Sequence, residues 1–480
     1  MTFERFEYKN WWKDASKEAQ QAAFEFCGGY LDFLNRHKTE REVVAYTTAL
    51  CKANGFMDLD EAIKQRKSLE PGTKVYQNLR GKALVMAVIG TEPMAQGINI
   101  VASHVDSPRL DFKQTPFYED TDMVLAKTHY YGGIKKYQWV CIPLALHGVV
   151  ILKSGEIVQI NIGEKETDPS FVITDLLPHL AHEQMKKRMS EGVNGEGLNV
   201  VLGAIPLQEE KDEAEGTGSS KEKHKDPVKM NLLRILKETY GIDEVDFVSA
   251  EIEVVPAMPA REVGFDRSMI GGYGQDDRVC TYAGIHSLLD LKAQPARTVM
   301  VYLSDKEEVG SMGNTGAQSA GLTHCIAELC ALTTDHYNDL VTKRCFANSA
   351  LLSADVSAAV DPNYKDAQDK LNATYFSKGV VLEKYTGSKG KSGANDANPE
   401  FIAALRALFD DHQVAWQTGE LGKVDLGGGG TIAQFMANLG MQVIDCGVPV
   451  LSMHSPFELT CKADIYNAYL AYSAFLKAYK

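Results

Sequence analysis

Ser304-Asp305-Lys306-Glu307-Glu308-Val309-Gly310 follows the apolar run Val299–Leu303, and this stretch decides how the chain is read. The run has the length of a buried strand, and two adjacent carboxylates at its end invite different tasks. Successive strand residues point to opposite faces, but a chain leaving a strand turns. One carboxylate is then free to bind a metal while its neighbour faces the water beside that metal. That is the arrangement a metal-assisted hydrolase needs. An acidic pair alone is more often a solvated loop, so the reading depends on its companions.

Four companions stand at similar places. Ile98–Ala102 reads as a second buried strand and runs into Ser103, His104, Val105, Asp106, Ser107, Pro108 and Arg109. Alternation puts His104 and Asp106 on one face, with Asp106 accepting a hydrogen bond from the second ring nitrogen of His104 or lying behind it. A lone histidine at a strand end is more often structural. Gly271, Gly272, Tyr273 and Gly274 lead through Gln275, Asp276, Asp277 and Arg278 into apolar residues at helical spacing. A helix N-cap accounts for one of those aspartates but not for both. Ala350–Ala354 reaches Asp355, and Pro449–Met453 reaches His454, Ser455, Pro456, Phe457 and Glu458. Ligand sites in open α/β sheets form outside the carboxyl ends of strands, so these groups are expected to converge. Imidazoles and carboxylates without paired cysteines suit zinc, cobalt or manganese.

These residues resemble the aspartyl aminopeptidase and vacuolar aminopeptidase I family of dinuclear zinc metallopeptidases. The matching segments are SHVDSPRLD at 103–111, GQDDR at 274–278, DKEEVGS at 305–311, SADVSAAVDPNY at 353–364 and MHSPFE at 453–458. They occur in the family's order and span most of the chain. The resemblance implies that His104, Asp276, Glu308, Asp355 and His454 hold two zinc ions, with cobalt or manganese as other occupants and Asp276 as the bridge. It implies that Glu307 is the general base toward a metal-bridging water and that Asp106 belongs to the catalytic set. In the family, a histidine matching His147 reaches a neighbouring subunit's site and helps bind the substrate carbonyl. Its residues alone allow a metal ligand or a plain strand histidine equally well.

The resemblance implies an α/β fold: a mixed-sheet, three-layer metallopeptidase domain with helices on both faces, plus an inserted β-rich dimerisation domain. The spacing of the motifs agrees, because the first ligand lies at 104 and the rest lie between 276 and 454. The expected boundaries are 1–108 with 251–480 for the catalytic domain and 109–250 for the insertion. Within the insertion, 146–153 and 157–162 read as strands, and Asn231–Tyr240 as a short helix. Between them, the charged stretch 208–229 has almost nothing to bury and reads as a mobile loop. Asp464–Leu476 reads as a helix that closes the core. The family assembles into a homo-oligomer, a tetrahedral dodecamer built from dimers.

Substrate preference departs from the aspartyl-specific members, where a lysine after the strand GxVxK holds an acidic side chain. Here the sequence is Gly379-Val380-Val381-Leu382-Glu383-Lys384, where one register places Glu383 at that position and a shift by one residue places Lys384 there. A carboxylate there favours a basic or neutral N-terminal residue over an acidic one. The alternatives are an aspartyl- or glutamyl-specific aminopeptidase, a dinuclear deacylase or carboxypeptidase, and a noncatalytic assembly protein. Gly427–Gly430 resembles a phosphate-cradling loop, but no lysine follows and Rossmann spacing is absent, so a tight backbone approach near the metal site is expected instead.

Composition bounds the rest. At 480 residues and 44% hydrophobic, the chain can bury a large core. A formal net charge of −14 argues against nucleic acid or an anionic membrane as partner. No apolar run spans a bilayer and the first residues lack a signal-peptide core, which points to the cytoplasm. Nine cysteines without a CxxC pair read as reduced thiols, and nothing gives Cys280 or Cys446 a nucleophile's role.

Overall fold

The computed structural model of the protein describes residues 7–208 and 225–480. Residues 209–224, most of the stretch expected to be a mobile loop, lie outside the described residues. The chain divides into two compact units, 1–107 with 259–480, and 108–258.

The larger unit is organised by a nine-stranded sheet. Its middle consists of four parallel strands in the order Thr298–Ser304, Ile98–His104, Ala350–Ser353 and Gln442–Gly447. Antiparallel strands flank this middle, Ala83–Val88 on one side and Val380–Glu383 on the other, so the sheet is mixed. Every residue of Ile98–His104 and Thr298–Ser304 is buried. Strands covered on both faces lose the polar half of the usual alternation, which is why both read as continuous apolar runs.

Alternation still sorts their side chains between two cores. Val299, Val301 and Leu303 pack with Val279 and Ala283 of helix Gln275–Leu289 and with Tyr472 and Phe475 of helix Lys462–Ala478. Met300 and Tyr302 face the other way, against Leu322, Ile326 and Leu329 of helix Gly321–Leu332. Helices therefore cover both faces and the unit has three layers. Gly284 lets helix Gln275–Leu289 sit close to the sheet, since a Cβ there would lie 3.4 Å from Val101 Cγ1.

A five-stranded sheet belongs to the same unit: Arg261–Val263, Met269–Gly272, Glu458–Cys461, Pro449–Leu451 and Ser357–Ala358. Its register sets Gly272 opposite Glu458, so the turn before Asp276 and the segment after His454 are neighbours.

The smaller unit is a six-stranded antiparallel sheet with helix Pro227–Tyr240. Strands Leu144–Ile151 and Ile157–Ile162 stand where the apolar runs at 146–153 and 157–162 were read. The expected boundary at 250 falls short. Ala250–Pro256 is a strand of this sheet, paired with Leu144–Ile151 and Arg109–Asp120, and carries the unit to Met258. Its apolar residues gave no sign of which sheet they would join. The helix expected over 231–240 starts at Pro227, where proline's missing N–H costs no helical hydrogen bond, and ends before Gly241 in the left-handed region. Among the described residues, no helix is long and apolar enough to cross a membrane. All nine cysteines are free, and only Cys141 is exposed.

Candidate metal centre

The carboxyl ends of the parallel strands carry the site. His104 ends its strand, and its Nε2 lies 3.0 Å from Asp276 Oδ1, 3.8 Å from Asp355 Oδ1 and 3.9 Å from Glu307 Oε2. His454 Nε2 lies 3.2 Å from the other oxygen of Asp276 and 3.4 Å from Glu308 Oε2. The five ligands read from sequence and Glu307 are thus brought together. Their donor atoms form overlapping triplets, among them Asp276–Glu308–His454 and His104–Asp277–Asp355, each within 4.8 Å.

Local backbone explains how adjacent residues reach one cluster. Gly274 adopts φ +72°, and a Cβ there would collide with the Arg278 guanidinium, so the turn requires glycine. Asp276 and Asp277 then keep non-helical backbone ahead of the helix proper, which swings both carboxylates into the site. Neither is a simple N-cap. Lys306 is left-handed at φ 65° before a single 3-10 turn over Glu307–Val309, and this turn presents both glutamates.

Asp106, read as part of the catalytic set, lies wholly beneath the cluster. His104 Nδ1 is 3.0 Å from its carbonyl oxygen and 3.3 Å from its Oδ1. Its two carboxylate oxygens accept the backbone N–H groups of Glu307 at 3.1 Å and Glu308 at 3.2 Å. This is the geometry of a support, touching ligands rather than facing open space.

Sequence reading missed two residues near this cluster. Asp277 was quoted only beside Asp276, yet it is buried and its carboxylate joins His104 and Asp355. Its signal was the doublet itself. Glu458 ends the quoted segment 453–458, where it was given no task, and is buried.

The electrostatics are those of a buried cluster of carboxylates around two imidazoles. Burial, reinforced by Asp355 for Glu307 and by Asp276 for Glu308, holds both glutamates well above the ordinary carboxylate range. Burial likewise raises Asp355, and raises Asp277 far above its usual value. Burial alone would lower His104, but Asp106, Asp276 and Asp355 outweigh it and push the imidazole up. For Asp276 the balance is reversed: burial works against its charge, and hydrogen bonds from His104 and His454 hold it below the usual range. Glu308 Oε1 is buried and meets no hydrogen-bond donor. Two imidazoles, converging carboxylates and an orphaned oxygen are a donor set that fits divalent metal ions, zinc included.

Two further expected residues are in none of the ligand triplets among the described residues. His147 belongs to the smaller unit, on strand Leu144–Ile151, with Nε2 2.9 Å from Glu164 Oε1. Glu383 is buried at the end of strand Val380–Glu383, where Ser357 Oγ donates to Oε1 at 2.5 Å. Burial pushes its carboxyl up to about 8, with Asp445 and Asp355 adding to the rise. The charge expected there is therefore largely absent at neutral pH, because the sequence could not show how deeply the side chain sits.

Gly427–Gly430 makes the tight backbone approach expected of it, but toward Gly387. Gly387 N–H donates to Gly429 O at 2.5 Å, and a Cβ on Gly428 would lie 2.1 Å from Gly387 O. Cys280 and Cys446 are buried and their thiols are raised, the opposite of an activated nucleophile.

Comparison with known proteins agrees with this geometry. The family described as Aminopeptidase I zinc metalloprotease (M18) matches residues 33–476. A probable M18 family aminopeptidase 1 from Clostridium acetobutylicum is 49% identical over 470 residues, covering 98% of each chain. The crystal structure of an M18 family aminopeptidase from Thermotoga maritima superposes with a TM-score of 0.91 at 43% identity, covering 98% of this chain and 100% of that one. The S. cerevesiae mApe1 dodecamer structure shares the fold at 20% identity, with a TM-score of 0.75 over 96% of this chain and 97% of that one. The chain belongs to the M18 family of zinc metalloproteases and is a hydrolase of the aminopeptidase type.

Proposed function

We propose that the strand-end cluster holds two divalent ions, zinc foremost, and uses them to remove the N-terminal residue from peptides. One observation carries the reading. The two oxygens of Asp276 face different imidazoles, His104 at 3.0 Å and His454 at 3.2 Å, so Asp276 would be the residue shared between two ligand sets. His104 and Asp355 complete one set, and Glu308 and His454 the other. When bound, the ions supply Lewis acidity, which acidifies a nearby water and polarises the scissile carbonyl.

Glu307 is not needed by either set. It takes the proton of the attacking water and returns it to the leaving amine. Burial and the neighbouring Asp355 support this role, because they raise its proton affinity above that of an ordinary carboxylate. Asp106 acts as a positioning residue that holds the His104 ring and the Glu307–Glu308 turn.

The N-terminal preference is for neutral or basic residues over acidic ones. Glu383 is the residue on which this rests. Holding its proton at neutral pH, it offers an acidic residue no positive partner, and it attracts a basic one only once ionised. The unit 108–258 serves as a dimerisation domain, and dimers build a larger homo-oligomer, with the shared fold of the mApe1 dodecamer in support. His147 then completes a neighbouring subunit's site by contacting the substrate carbonyl. The place of action is the cytoplasm.

Hydrolysis of lysyl, leucyl and aspartyl amides, each with a free and a blocked amine, tests the reading. Cleavage that requires the free amine and is slowest on the aspartyl substrate is expected. Equal cleavage of blocked substrates would point instead to a deacylase, and a fastest aspartyl rate would end the preference.

A further inference from the structure

Glu458 stands in the five-stranded sheet, and its side chain reaches back under the cluster. Its Oε2 accepts the backbone N–H of Gln275 at 2.5 Å and of Asp276 at 3.2 Å, while Oε1 accepts the N–H of His454 at 2.7 Å. One carboxylate thus grips the backbone of two residues whose side chains face each other, Asp276 Oδ2 and His454 Nε2 being 3.2 Å apart. The surroundings pin the acid in turn. Gln275 Nε2 donates to the Glu458 carbonyl at 3.1 Å and to Ile270 O at 2.7 Å, and Tyr30 donates to Gln275 Oε1 at 2.9 Å. Glu458, Gln275, Ile270 and Tyr30 are all buried.

The segment it holds has reason to drift without it. Ser452 and His454 both adopt left-handed backbone, with φ 58° and 65°. Residues with a Cβ take up that region at some cost and keep it only when the surroundings impose it. The His454 side chain is also the most exposed of the metal-ligating groups, at 32%.

We infer that Glu458 is a positioning residue for one half of the metal centre, locking the backbone of Asp276 to that of His454. Asp106 is its counterpart, gripping Glu307, Glu308 and His104 in the same manner. The two supports divide the site. Asp106 carries the turn bearing the base, and Glu458 carries the bridge and the most exposed ligand. The inference rests on the proposed dinuclear centre, and it assigns Glu458 no contact with substrate.

The test is calorimetric titration of zinc into metal-stripped full-length wild type and Glu458→Gln, with melting of each apoprotein followed on the same samples. Gln keeps the shape but sets an NH₂ group against backbone N–H groups. Loss of such outer support weakens metal binding by roughly 10- to 100-fold. The expected result is two binding steps in wild type and, in Glu458→Gln, the step at Glu308 and His454 weakened by that factor, with the step at His104 and Asp355 weakened less because it shares only Asp276. The lost rate should return with excess zinc, at a KM close to wild type. Glu458→Asp, which keeps the charge, should fall between them, and it decides by the same titration where Glu458→Gln does not fold. Two unaltered steps, or both weakened equally along with a lower apoprotein melting temperature, would overturn the role. Wild type that binds fewer than two ions would instead remove the dinuclear reading itself.

Discussion

Gly447→Ala is the substitution whose effect follows most directly from the packing. Gly447 closes strand Gln442–Gly447, and a Cβ built on it would lie 1.5 Å from the carbonyl oxygen of Asp355 and 3.2 Å from Val356 N. The Asp355 contact is about 2 Å shorter than an ordinary van der Waals separation of roughly 3.5 Å. No flexible side-chain end is involved, so backbone must move. The strand is fixed by its register with Ala350–Ser353 on one side and Val380–Glu383 on the other. The Asp355 segment is therefore the part that yields. Metal ligands tolerate displacements of only about 0.2 Å, and a 1 Å misplacement near reacting groups costs about 100-fold in rate. Gly447→Ala should thus lower kcat/KM on a leucyl amide by about 100-fold or more, with weaker metal retention and an overpacking penalty of about 1–3 kcal/mol in stability. The control is Gly28→Ala, in helix Lys17–Arg36, where an added Cβ meets nothing within 4 Å. It should leave the rate alone and raise stability by about 0.5–1 kcal/mol. Steady-state kinetics, metal analysis and melting curves read all three quantities. A Gly447→Ala protein with wild-type rate and metal content would refute the claim that this close approach sets Asp355.

Metal binding should release protons. Glu307, Glu308 and Asp355 are raised by burial and mutual repulsion and His104 by its carboxylate neighbours, so protons held by these groups must leave when cations arrive. Titration of zinc at pH 6 in buffers of different ionisation enthalpy measures this, and a buffer-independent heat would contradict it. The ratio of lysyl to leucyl amide hydrolysis should rise as pH passes about 8, where Glu383 loses its proton, and Glu383→Gln should flatten that rise. Stability runs the other way: the raised carboxyl favours the fold below its unfolded value of 4.5, and that contribution is lost as pH rises through about 8. Glu383→Gln should therefore show a shallower fall in melting temperature across that interval, and an unchanged slope would count against the buried acid.

What could be read from the sequence, and what could not, divides by the kind of contact involved. Strands 98–104 and 298–304 announced themselves because both faces are covered, and the polar residues at their ends stood out against that background. The residues that arrange the ligands were silent. Glu458 works through backbone N–H groups more than 180 positions away as well as through one four positions away, and neither contact leaves a pattern in composition or period. Gly447 looks like an ordinary glycine until the backbone opposite is known. Asp277 was quoted without a task, because the doublet gave no sign that non-helical backbone ahead of the helix turns both carboxylates into the site. Glu383 shows the same limit in electrostatics. Its position was legible, but its charge depends on burial, which only the fold supplies.

The central claim is that Glu307 is the base of a dinuclear aminopeptidase, and the most direct measurement compares wild type with Glu307→Gln on an amino-acid amide, with metal content determined on the same samples. The expected result is a rate lower by about 100- to 10,000-fold with both ions retained, since the variant removes proton transfer and leaves His104, Asp276, Glu308, Asp355 and His454 in place. A Glu307→Gln protein as active as wild type, or a wild type inactive on every substrate with a free amine, would contradict it.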